Sequence, residues 1–392
     1  MNSNKATAPY SLRDLIGYFL KLGTWGFGGP VALAGYMHRD LVEDKQWISE
    51  EEYKEGLTLA QLAPGPLAAQ LGIYLGYVHY RLLGATLAGL AFVLPSFLMV
   101  LALGFIYVHW QGIPWMQAVF YGVGAAVIGI IGTSAWKLTR KSVGSSKVLM
   151  TIYILAAVYT VWQENENIWL FLGAGVLYWF LKAPPGILSF LRKAARSPKL
   201  LLPPILLNIP AATSGKTLWQ ILFYFTKAGA FVFGSGLAIV PFLYGGVVKE
   251  YGWLNEQQFL DAVAVAMITP GPVVITVGFI GYLTAGFPGA CVAAFGTFFP
   301  CYLFTVLPAP YFRKYGKHPG IKAFVDGVTA AAIGAISGAV IVLAKRSLID
   351  VYTITIALIT AFVLWRFKKI PEPIIILAGA AIGLLLKTLL KT

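Results

Sequence analysis

The sequence predicts an all-α polytopic membrane protein built from two homologous halves. Three observations predict this fold class. Hydrophobic residues make up 58% of the 392 residues and charged residues only 12%, which is about half the charged fraction of an ordinary soluble domain. Apolar stretches of roughly 20 residues, the length that crosses a bilayer as a helix, recur along the whole chain. The third observation is a duplication of the chain.

Each half contains six apolar segments. In the first half they lie near residues 15–37, 57–79, 83–108, 115–136, 148–162 and 168–182. In the second half they lie near residues 219–246, 259–282, 287–311, 321–344, 349–365 and 371–387. These segments predict an N-terminal transmembrane repeat over residues 1–182 and a C-terminal transmembrane repeat over residues 217–392. Residues 183–216, which are rich in Pro, Lys and Arg, are predicted to be a cytoplasmic linker.

The duplication is visible without a gap over residues 19–66 and 225–272, with 13 identities in 48 positions at an offset of 206. FLKLGTWGFGGP, which starts at Phe19, matches FTKAGAFVFGSG, which starts at Phe225. Trp-Ile-Ser-Glu matches Trp-Leu-Asn-Glu, and a Pro-Gly-Pro follows in both halves. Farther on, the offset becomes 205, which pairs Pro95 with Pro300. The two halves are therefore predicted to share one fold.

Basic residues between the apolar segments discriminate between two topologies. If all twelve segments cross the membrane, the halves have the same orientation, and basic loops fall on both sides. If one broken segment per half enters and leaves at the same face, each half crosses five times and the second half is inverted. The basic loops 137–147, 182–199, 313–322 and 366–369 then all face the cytoplasm, and both termini lie outside. We therefore favour inverted repeats with about ten spanning helices plus broken or re-entrant segments.

Pro-Gly-Pro interrupts one apolar segment in each half, at residues 64–66 and 270–272. Proline lacks a backbone N–H group and clashes with the preceding helical turn, so an α-helix cannot continue through this sequence. The polar backbone groups that such a break leaves at membrane depth must be buried in protein or line a polar cavity. The half-helix after the break offers N–H groups and a positive dipole end to an anion. A packing kink is the structural alternative, but two breaks in corresponding positions favour a binding site.

A glycine-rich stretch follows a lysine in both halves. Lys21 precedes Gly28 of GFGGP by seven residues, and Lys227 precedes Gly234 of FGSG by seven. Seven residues are about two helical turns, so each lysine shares a helix face with its break. A charge inside an apolar segment usually faces a cavity or a partner. The alternatives are lysines that extend to the membrane surface and glycines that serve only close helix packing.

The predicted substrate-binding residues are those of the breaks, the two lysines, and nearby amide and hydroxyl side chains: Lys21, Gly28, Gly29, Pro30, Gln61, Pro64, Gly65, Pro66, Gln70, Lys227, Gly234, Ser235, Gly236, Thr269, Pro270, Gly271, Pro272 and Thr276. No P-loop, GxSxG or HExxH motif occurs, so no enzyme activity or catalytic residue is predicted. The four histidines are scattered and the two cysteines form no CxxC, so no metal site and no cofactor are predicted.

The net charge of +14 indicates the kind of partner. The basic residues lie mainly in short loops and form no continuous stripe, which argues against nucleic acid. Acidic residues near an apolar segment are few, with Asp261 and Asp326 near segment starts. A cation transporter would be expected to hold its ion with buried acids. The expected partners are therefore an anionic substrate and the lipid bilayer, and homodimer formation stays open.

The paired FLKLGTWGFGGP and FTKAGAFVFGSG, WISEEEY and WLNEQQF, and the repeated PGP resemble the chromate ion transporter family in its long, two-repeat form. The resemblance covers essentially the whole chain. It implies a multi-pass protein of the bacterial inner membrane that exports the oxyanion chromate and confers chromate resistance. The second repeat has GSG where the first has GGP, which indicates that the halves contribute unequally.

A dianion that leaves an inside-negative cell gains roughly 4.6 kcal/mol per 100 mV, so export by alternating access between the repeats is physically reasonable. Membrane potential, anion exchange and protons are all open as driving forces. Transport of sulfate or another inorganic anion, an anion channel on the same scaffold, and a membrane scaffold or lipid-handling protein are the alternative functions.

Overall fold

The computed structural model describes residues 10–27, 29–109, 114–163, 168–183, 213–231, 239–312, 318–367, 370 and 372–390. These residues form fourteen α-helices and no β-strand. The first half contains α1 (Leu12–Trp25), α2 (Gly29–His38), α3 (Glu50–Leu62), α4 (Leu67–His109), α5 (Pro114–Ser142), α6 (Lys147–Gln163) and α7 (Ile168–Lys182). The second half contains α8 (Thr213–Phe231), α9 (Ile239–Tyr244), α10 (Glu256–Ile268), α11 (Thr276–Val306), α12 (Pro319–Ser347), α13 (Val351–Arg366) and α14 (Glu372–Leu390). The predicted all-α class is confirmed.

The predicted duplication is also visible in the helix boundaries. The offset between α3 and α10 is 206 at both ends, and that between α5 and α12 is 205 at both ends. A π-helical turn follows α2 at Arg39–Asp44 and α9 at Gly245–Glu250. Helices α3 and α10 both begin with a reciprocal capping box, formed by Ser49 with Glu52 and by Asn255 with Gln258. The same short capping sequence therefore starts the same helix in both halves.

Helices α4 and α11 each consist of two arms that fold back on one another. The backbone leaves the helical conformation at Arg81 (φ 52°) and at Gly286 (φ 63°). A Cβ atom on Gly76 would lie 2.4 Å from the carbonyl oxygen of Gly84. A Cβ atom on Gly281 would lie at the same distance from the carbonyl oxygen of Gly289. Only glycine permits this approach. Each helix is therefore a tight pair with a short arm (residues 67–80 or 276–284) and a long arm (residues 82–109 or 287–306).

The first Pro-Gly-Pro lies at the tip of a helical hairpin. A Cβ atom on Gly56 of α3 would lie 2.3 Å from the ring of Tyr74 in the short arm of α4. Nearer the base of the hairpin, a carboxylate oxygen of Glu52 lies 3.6 Å from Nε2 of His79. In each pair, the two residues are nearly the same number of positions before and after Gly65 in the sequence. Helix α3 and the short arm therefore run antiparallel. The broken segment is thus re-entrant: it enters and leaves at the same end of the molecule.

The first apolar segment is also a hairpin, which corrects the expectation that it crosses the membrane. The hydroxyl of Tyr18 in α1 donates to Asp40 after α2 at 3.3 Å, and Tyr10 stacks on Trp47 with ring centroids 4.7 Å apart. The chain therefore reverses between α1 and α2, near Gly26. Hydrophobic periodicity cannot distinguish this reversal from a crossing, because both present the same apolar residues. The first half thus contains two hairpins followed by the long arm of α4, α5, α6 and α7, where five crossings were predicted.

Equivalent helices of the two halves run antiparallel. Gly132 of α5 packs on Val340 of α12, and Ala135 clusters with Ile336, so residue numbers rise along α5 as they fall along α12. The long arm of α4 runs parallel to the short arm of α11, because Phe97 lies at Gly278 and Gly104 at Tyr282. It is therefore antiparallel to the long arm of α11. This arrangement is the predicted inversion of the two repeats.

The two ends of the helix bundle differ in charge. We name them after Arg81 and Tyr107, which lie about 39 Å apart along the long arm of α4 by helical rise. Helix α5 starts beside Tyr107, whose ring centroid lies 5.8 Å from that of Phe120, and it therefore ends at the Arg81 end. Helix α12 runs antiparallel to α5, and α7 runs antiparallel to α12. Helix α13 runs parallel to α5. The helix ends that flank the four basic loop regions therefore lie at the Arg81 end, as predicted; they are Ser142, Lys182, Pro319 and Arg366.

The first and last described residues, Tyr10 and Leu390, lie at opposite ends of the bundle, which corrects the expectation that both termini share one side. The hydroxyl of Tyr10 lies 2.8 Å from Nδ1 of His79, next to Arg81, so the chain's first described residue lies at the end with the basic loops. Helix α14 runs opposite to α5, because Gly383 packs on Ala118 and Gly379 on Ala126, and it ends at the Tyr107 end. Helices α1 and α2 form a hairpin rather than a crossing, so the N-terminal end is opposite to the expected one.

The halves are interleaved rather than side by side. Helix α5 packs on α13 and α14 of the second half, and α12 packs on α6 and α7 of the first. Four helical stretches, at residues 67–109, 118–140, 273–306 and 319–345, are long and apolar enough to cross a membrane, and four shorter apolar helices accompany them. Helix α8 begins at Thr213, inside the predicted linker, and residues 184–212 lie outside the described residues.

Candidate functional site

The second Pro-Gly-Pro meets the first glycine-rich break inside the protein. Pro270, Gly271 and Pro272 are buried, as a non-helical backbone at membrane depth requires. Gly271 has φ 96° and donates its N–H to the carbonyl oxygen of Gly26 at 2.9 Å. A Cβ atom on Gly271 would lie 2.0 Å from Oγ of Ser96. The hairpin tip of one half is therefore fixed against α1 and α4 of the other half.

The first Pro-Gly-Pro is placed in the corresponding way. A Cβ atom on Gly65 (φ 138°) would lie 3.2 Å from Cβ of Cys301 in the long arm of α11. Cys301 is the repeat counterpart of Ser96 at an offset of 205. Gln70, which is fully buried, donates its Nε2–H to the carbonyl oxygen of Pro64 at 2.8 Å. Each hairpin tip therefore packs on the same position of the opposite half's long arm.

The half-helix after this tip keeps backbone donors within the protein. The first helical hydrogen bond of α4 runs from the N–H of Gln70 to the carbonyl of Pro66. In the part of the chain that the structure describes, no acceptor is seen for the N–H groups of Leu67, Ala68 and Ala69, which are all buried. Such groups attract an anion. The side-chain oxygen Oε1 of Gln70 is also buried without a hydrogen-bond partner among the described atoms.

A cavity of about 1010 Å³ extends from the Arg81 end of the molecule to the glycine-rich break. Helix α1, helix α2 and the turn after α2 form its walls. Lys21, Gly26 and Phe27 line it on the side of the break, and Arg13, Lys45 and Trp47 line it near the base of the hairpin. Because Gly26 also accepts the hydrogen bond from Gly271, the cavity reaches the contact between the two halves.

The cavity carries four basic and three acidic side chains. Arg39 pairs with Asp40 at 2.7 Å, and Asp14 caps its own helix by accepting from Ser11, which lowers the pKa of its carboxyl group. No acidic side chain lies within ion-pair distance of Lys21 among the described residues. The cavity therefore offers an uncompensated positive charge to an anion.

The two predicted lysines lie in different surroundings. Lys21 lines the cavity. Both lysines are exposed, and Nζ of Lys227 lies 4.4 Å from the ring centroid of Phe223, which is itself 61% exposed. The position of Lys227 matches the alternative in which a lysine extends along the protein surface. Residues 232–238, which follow Lys227, lie outside the described residues, so a cavity beside a predicted lysine is described only for Lys21.

Several predicted donors are engaged elsewhere in this conformation. Thr269 donates to the carbonyls of Val265 and Ala266, each at 3.0 Å, and Thr276 donates to Val273 at 2.7 Å. Both hydroxyl groups satisfy their own helix ends. Gln61 is exposed on the last turn of α3 rather than enclosed beside the break. The N–H of Gly271 is likewise occupied by Gly26.

The remaining predicted residues can be placed only in part. Gly29 and Pro30 begin α2. Gly28, Gly234, Ser235 and Gly236 lie outside the described residues. Sequence reasoning missed the pair formed by Ser96 and Cys301, although both directly follow the paired prolines Pro95 and Pro300. The repeat alignment was a signal for them, but their contact with the opposite hairpin depends on the inverted packing.

Comparisons with known proteins agree with the repeat architecture. A family model described as "Chromate transporter" matches residues 13–179 and 219–384. The chain is 68% identical over 386 residues to the "Chromate transport protein" of Cupriavidus metallidurans, an alignment that covers 98% of this chain and 96% of that protein. It is 63% identical to the "Probable chromate transport protein" of Synechococcus elongatus, with 96% of both chains covered.

The "Chromate transport protein" of Pseudomonas aeruginosa is 30% identical over 95% of this chain and 92% of its own length. No solved structure matches the chain. The matched segments contain both hairpins of the first half, the interleaved helices and the two Pro-Gly-Pro tips. With these features and relatives that are transport proteins, not enzymes, the chain belongs to the chromate transporter family.

Proposed function

We propose that the protein is a secondary transporter that exports chromate from the cytoplasm by alternating access between its two repeats. The single observation that carries this proposal is the basic cavity that ends at the Gly26–Gly271 contact. It combines a lysine without an acidic partner, a break in each half, and a junction between two inverted units. An oxyanion with two negative charges suits such a site, because Lys21 and backbone N–H groups complement its oxygens.

The charge at the two ends supports an orientation in the membrane. The helix ends next to the basic loops lie at the Arg81 end, and basic loops favour the cytoplasmic side. The cavity opens at that end, so this conformation faces the cytoplasm. A dianion that moves outward across an inside-negative membrane gains roughly 4.6 kcal/mol per 100 mV. Export from a bacterial inner membrane would therefore be favourable, and it would confer chromate resistance.

Two inverted repeats that meet at a bound anion can rock against each other and open the site to either side. In this reading, the anion replaces Gly26 as the partner of the Gly271 N–H, so that substrate binding loosens the contact between the halves. The donors of Leu67, Ala68 and Ala69 supply a second cradle at the first tip. In this proposal, Lys227 and the glycine-rich stretch of the second half also bind the substrate. The proposed protein assembles into a homodimer.

Radiolabelled flux in proteoliposomes tests the proposal. Vesicles are loaded with chromate, and a potassium gradient with valinomycin imposes the potential. We expect chromate to leave faster when the loaded side is negative, and unlabelled chromate on the outer side to accelerate exit by exchange. Parallel vesicles loaded with sulfate determine whether this second tetrahedral dianion shares the site. Sulfate flux that exceeds chromate flux would reassign the substrate.

Saturation distinguishes a transporter from an anion channel. A transporter gives a rate that saturates with chromate concentration and shows counterflow, whereas an open channel shows no counterflow. The matched control is the protein with Lys21→Met, reconstituted at the same density. Equal flux through wild-type protein, this variant and empty vesicles would overturn the proposed function.

A further inference from the structure

Asp261 is a buried carboxyl group that the proposed anion site does not use. It lies on α10, its side chain is 3% exposed, and it is the only Asp, Glu, Lys or Arg among the described residues that is buried to this extent. No ion pair joins it to a Lys, Arg or His in the described part of the chain. Because an ionised carboxyl group is costly to bury without a counter-charge, this position favours a group that gains and loses a proton.

The hydrogen bonds of Asp261 connect the two halves. The hydroxyl of Tyr107, at the end of the long arm of α4, donates to Oδ2 at 2.7 Å. Nε2 of Gln257 donates to Oδ1 at 2.9 Å. These two donors stabilise the ionised carboxylate without neutralising it, so either protonation state can be held in place.

Gln257 connects the carboxyl group to a cavity. A space of about 280 Å³ is lined by Gln257, Glu256, Tyr121 and Tyr244, among others. The hydroxyl of Tyr244 donates to Glu256 at 2.9 Å. This cavity lies at the Tyr107 end, opposite to the basic cavity, so polar groups at the far end of the molecule lead to Asp261 through a single side chain.

Other titratable groups lie on the elements that pack against α10. They include His109 on α4, Tyr121 on α5, Tyr282 and Cys291 on α11, Lys249, Glu250 and Tyr251 at the turn before α10, and Lys387 on α14. The hydrogen bonds of the Asp261 carboxyl run to Tyr107 and Gln257. Protonation at Asp261 is therefore determined mainly by burial and by these two donors.

The pair is not repeated at the corresponding positions. The repeat counterpart of Asp261 is Glu55, which is half-buried, and that of Tyr107 is Phe312, which has no hydroxyl group. Of these two equivalent positions, only Asp261, on the hairpin that ends at Gly271, is therefore bonded to a phenol. Nine residues, or about 13 Å of helix, separate Asp261 from Pro270. A change of charge at Asp261 therefore acts on the helix that presents Gly271 to Gly26.

We propose that Asp261 is a proton-binding site, filled from the Tyr107 end through Gln257, whose protonation is coupled to anion transport. A hydronium ion that enters the cavity transfers its proton to a carboxylate oxygen and leaves as water, the carboxylate loses its negative charge, and Tyr107 keeps its own hydroxyl proton. If a proton enters as the anion leaves, both movements run with the membrane potential. The coupling rests on the proposed function, whereas the proton site itself does not.

Infrared spectroscopy of the purified protein tests the site without any transport. The absorbance of protonated carboxyl groups is recorded as a function of pH for wild-type protein, for Asp261→Asn and for the matched control Glu55→Gln. We expect Asp261→Asn to lose one titrating band that Glu55→Gln retains. If Asp261→Asn fails to fold, Tyr107→Phe keeps the carboxyl group and should move the midpoint of that band to higher pH, because the ionised form loses a donor.

Transport tests the coupling. Chromate-loaded proteoliposomes are compared with and without an imposed pH gradient at zero potential. Since wild-type and variant vesicles have the same pH on each side, the substrate is equally protonated in each comparison, and a difference between the variants belongs to the protein. We expect Asp261→Asn to lose the response to the pH gradient and to retain chromate exchange, and Glu55→Gln to retain both. A wild-type response in Asp261→Asn would overturn the coupling, and an unchanged infrared band would overturn the proton site. Absent flux in wild-type protein would instead overturn the proposed function.

Discussion

The N–H of Gly271 donates a hydrogen bond to the carbonyl oxygen of Gly26 at 2.9 Å, and this bond joins a hairpin tip of the second half to a break of the first. Neither residue has a side chain that could contribute. The contact exists because a proline on each side of Gly271 prevents helix formation and because φ 96° at this position is readily available to glycine.

Gly271→Ala should destabilise the protein and abolish chromate flux. The new Cβ would lie 2.0 Å from Oγ of Ser96, and alanine would also be strained at the φ of 96° that this position has. Gly144→Ala is the matched control, because Gly144 also has positive φ (55°) but no atom within 4 Å of the added carbon. The control should lose only about 1–2 kcal/mol. Thermal unfolding in detergent measures both variants, and equal melting temperatures would contradict the clash.

Ser96→Gly in the Gly271→Ala background extends this test. Removing the hydroxymethyl group takes away the atom that the new methyl group meets, so part of the lost stability should return. The single variant Ser96→Gly should be only mildly destabilised. A double variant that is no more stable than Gly271→Ala would mean that Ser96 is not the obstacle.

Lys21→Met should raise the chromate concentration needed for half-maximal flux by roughly tenfold to a hundredfold, because a hydrogen bond to a charged group contributes about 1.5–3 kcal/mol. Lys21→Arg should have a milder effect, since it keeps the charge in the cavity. Lys227→Met serves as the comparison in the other half, where the ammonium group lies over the exposed ring of Phe223. Equal losses at Lys21 and Lys227 would indicate two equivalent lysine sites.

Single-cysteine labelling should place Ser11 and Ser145 on one side of the membrane and Thr388 on the other. All three are exposed. The background carries Cys291→Ser and Cys301→Ser, the latter because serine occupies the equivalent position 96. A membrane-impermeant maleimide added to intact cells and to inverted vesicles gives the two readouts. Labelling of Ser11→Cys and Thr388→Cys from the same side would disprove the assigned helix directions.

Alanine at Pro64, Gly65 and Pro66 should abolish anion binding and lower the melting temperature together. Because α3 and the short arm of α4 run antiparallel, the helix cannot simply continue through the altered tip, and the hairpin must distort. Pro288→Ala, at an exposed proline in α11, should leave chromate affinity unchanged. Normal chromate affinity in the triple variant, measured by isothermal titration in detergent, would mean that the tip serves packing alone.

Local sequence patterns predicted much of the architecture. The apolar stretches gave the class, and the matching Pro-Gly-Pro and Trp-x-x-Glu sequences gave the duplication and the re-entrant break. The distribution of Lys and Arg correctly predicted that the helix ends next to the four basic loop regions lie at one end of the molecule. These features depend on residues close together in the chain, and local chemistry is enough to determine them.

The candidate site was predictable only in part. Lys21 lies on a cavity as expected, and the second Pro-Gly-Pro is buried, as are Gly65 and Pro66 of the first. Thr269 and Thr276 satisfy their own helix ends instead, because a buried hydroxyl group binds the nearest available carbonyl. Gln61 is exposed rather than enclosed beside the break. Which face of a helix lines a cavity depends on how the neighbouring helices pack. The sequence near these residues does not determine that packing.

The sequence by itself determined that this chain is helical, duplicated and broken at Pro-Gly-Pro in both halves, since proline geometry and hydrophobic length act within a single segment. Only the tertiary structure decided that the first apolar segment also folds back, that Gly271 meets Gly26, and that Asp261 meets Tyr107 at the far end of the molecule. A hairpin and a crossing bury the same apolar residues, so hydrophobic pattern cannot separate them. Contacts between residues more than 150 positions apart arise from the inverted, interleaved packing of the two halves, in which shape and buried polar groups select one arrangement.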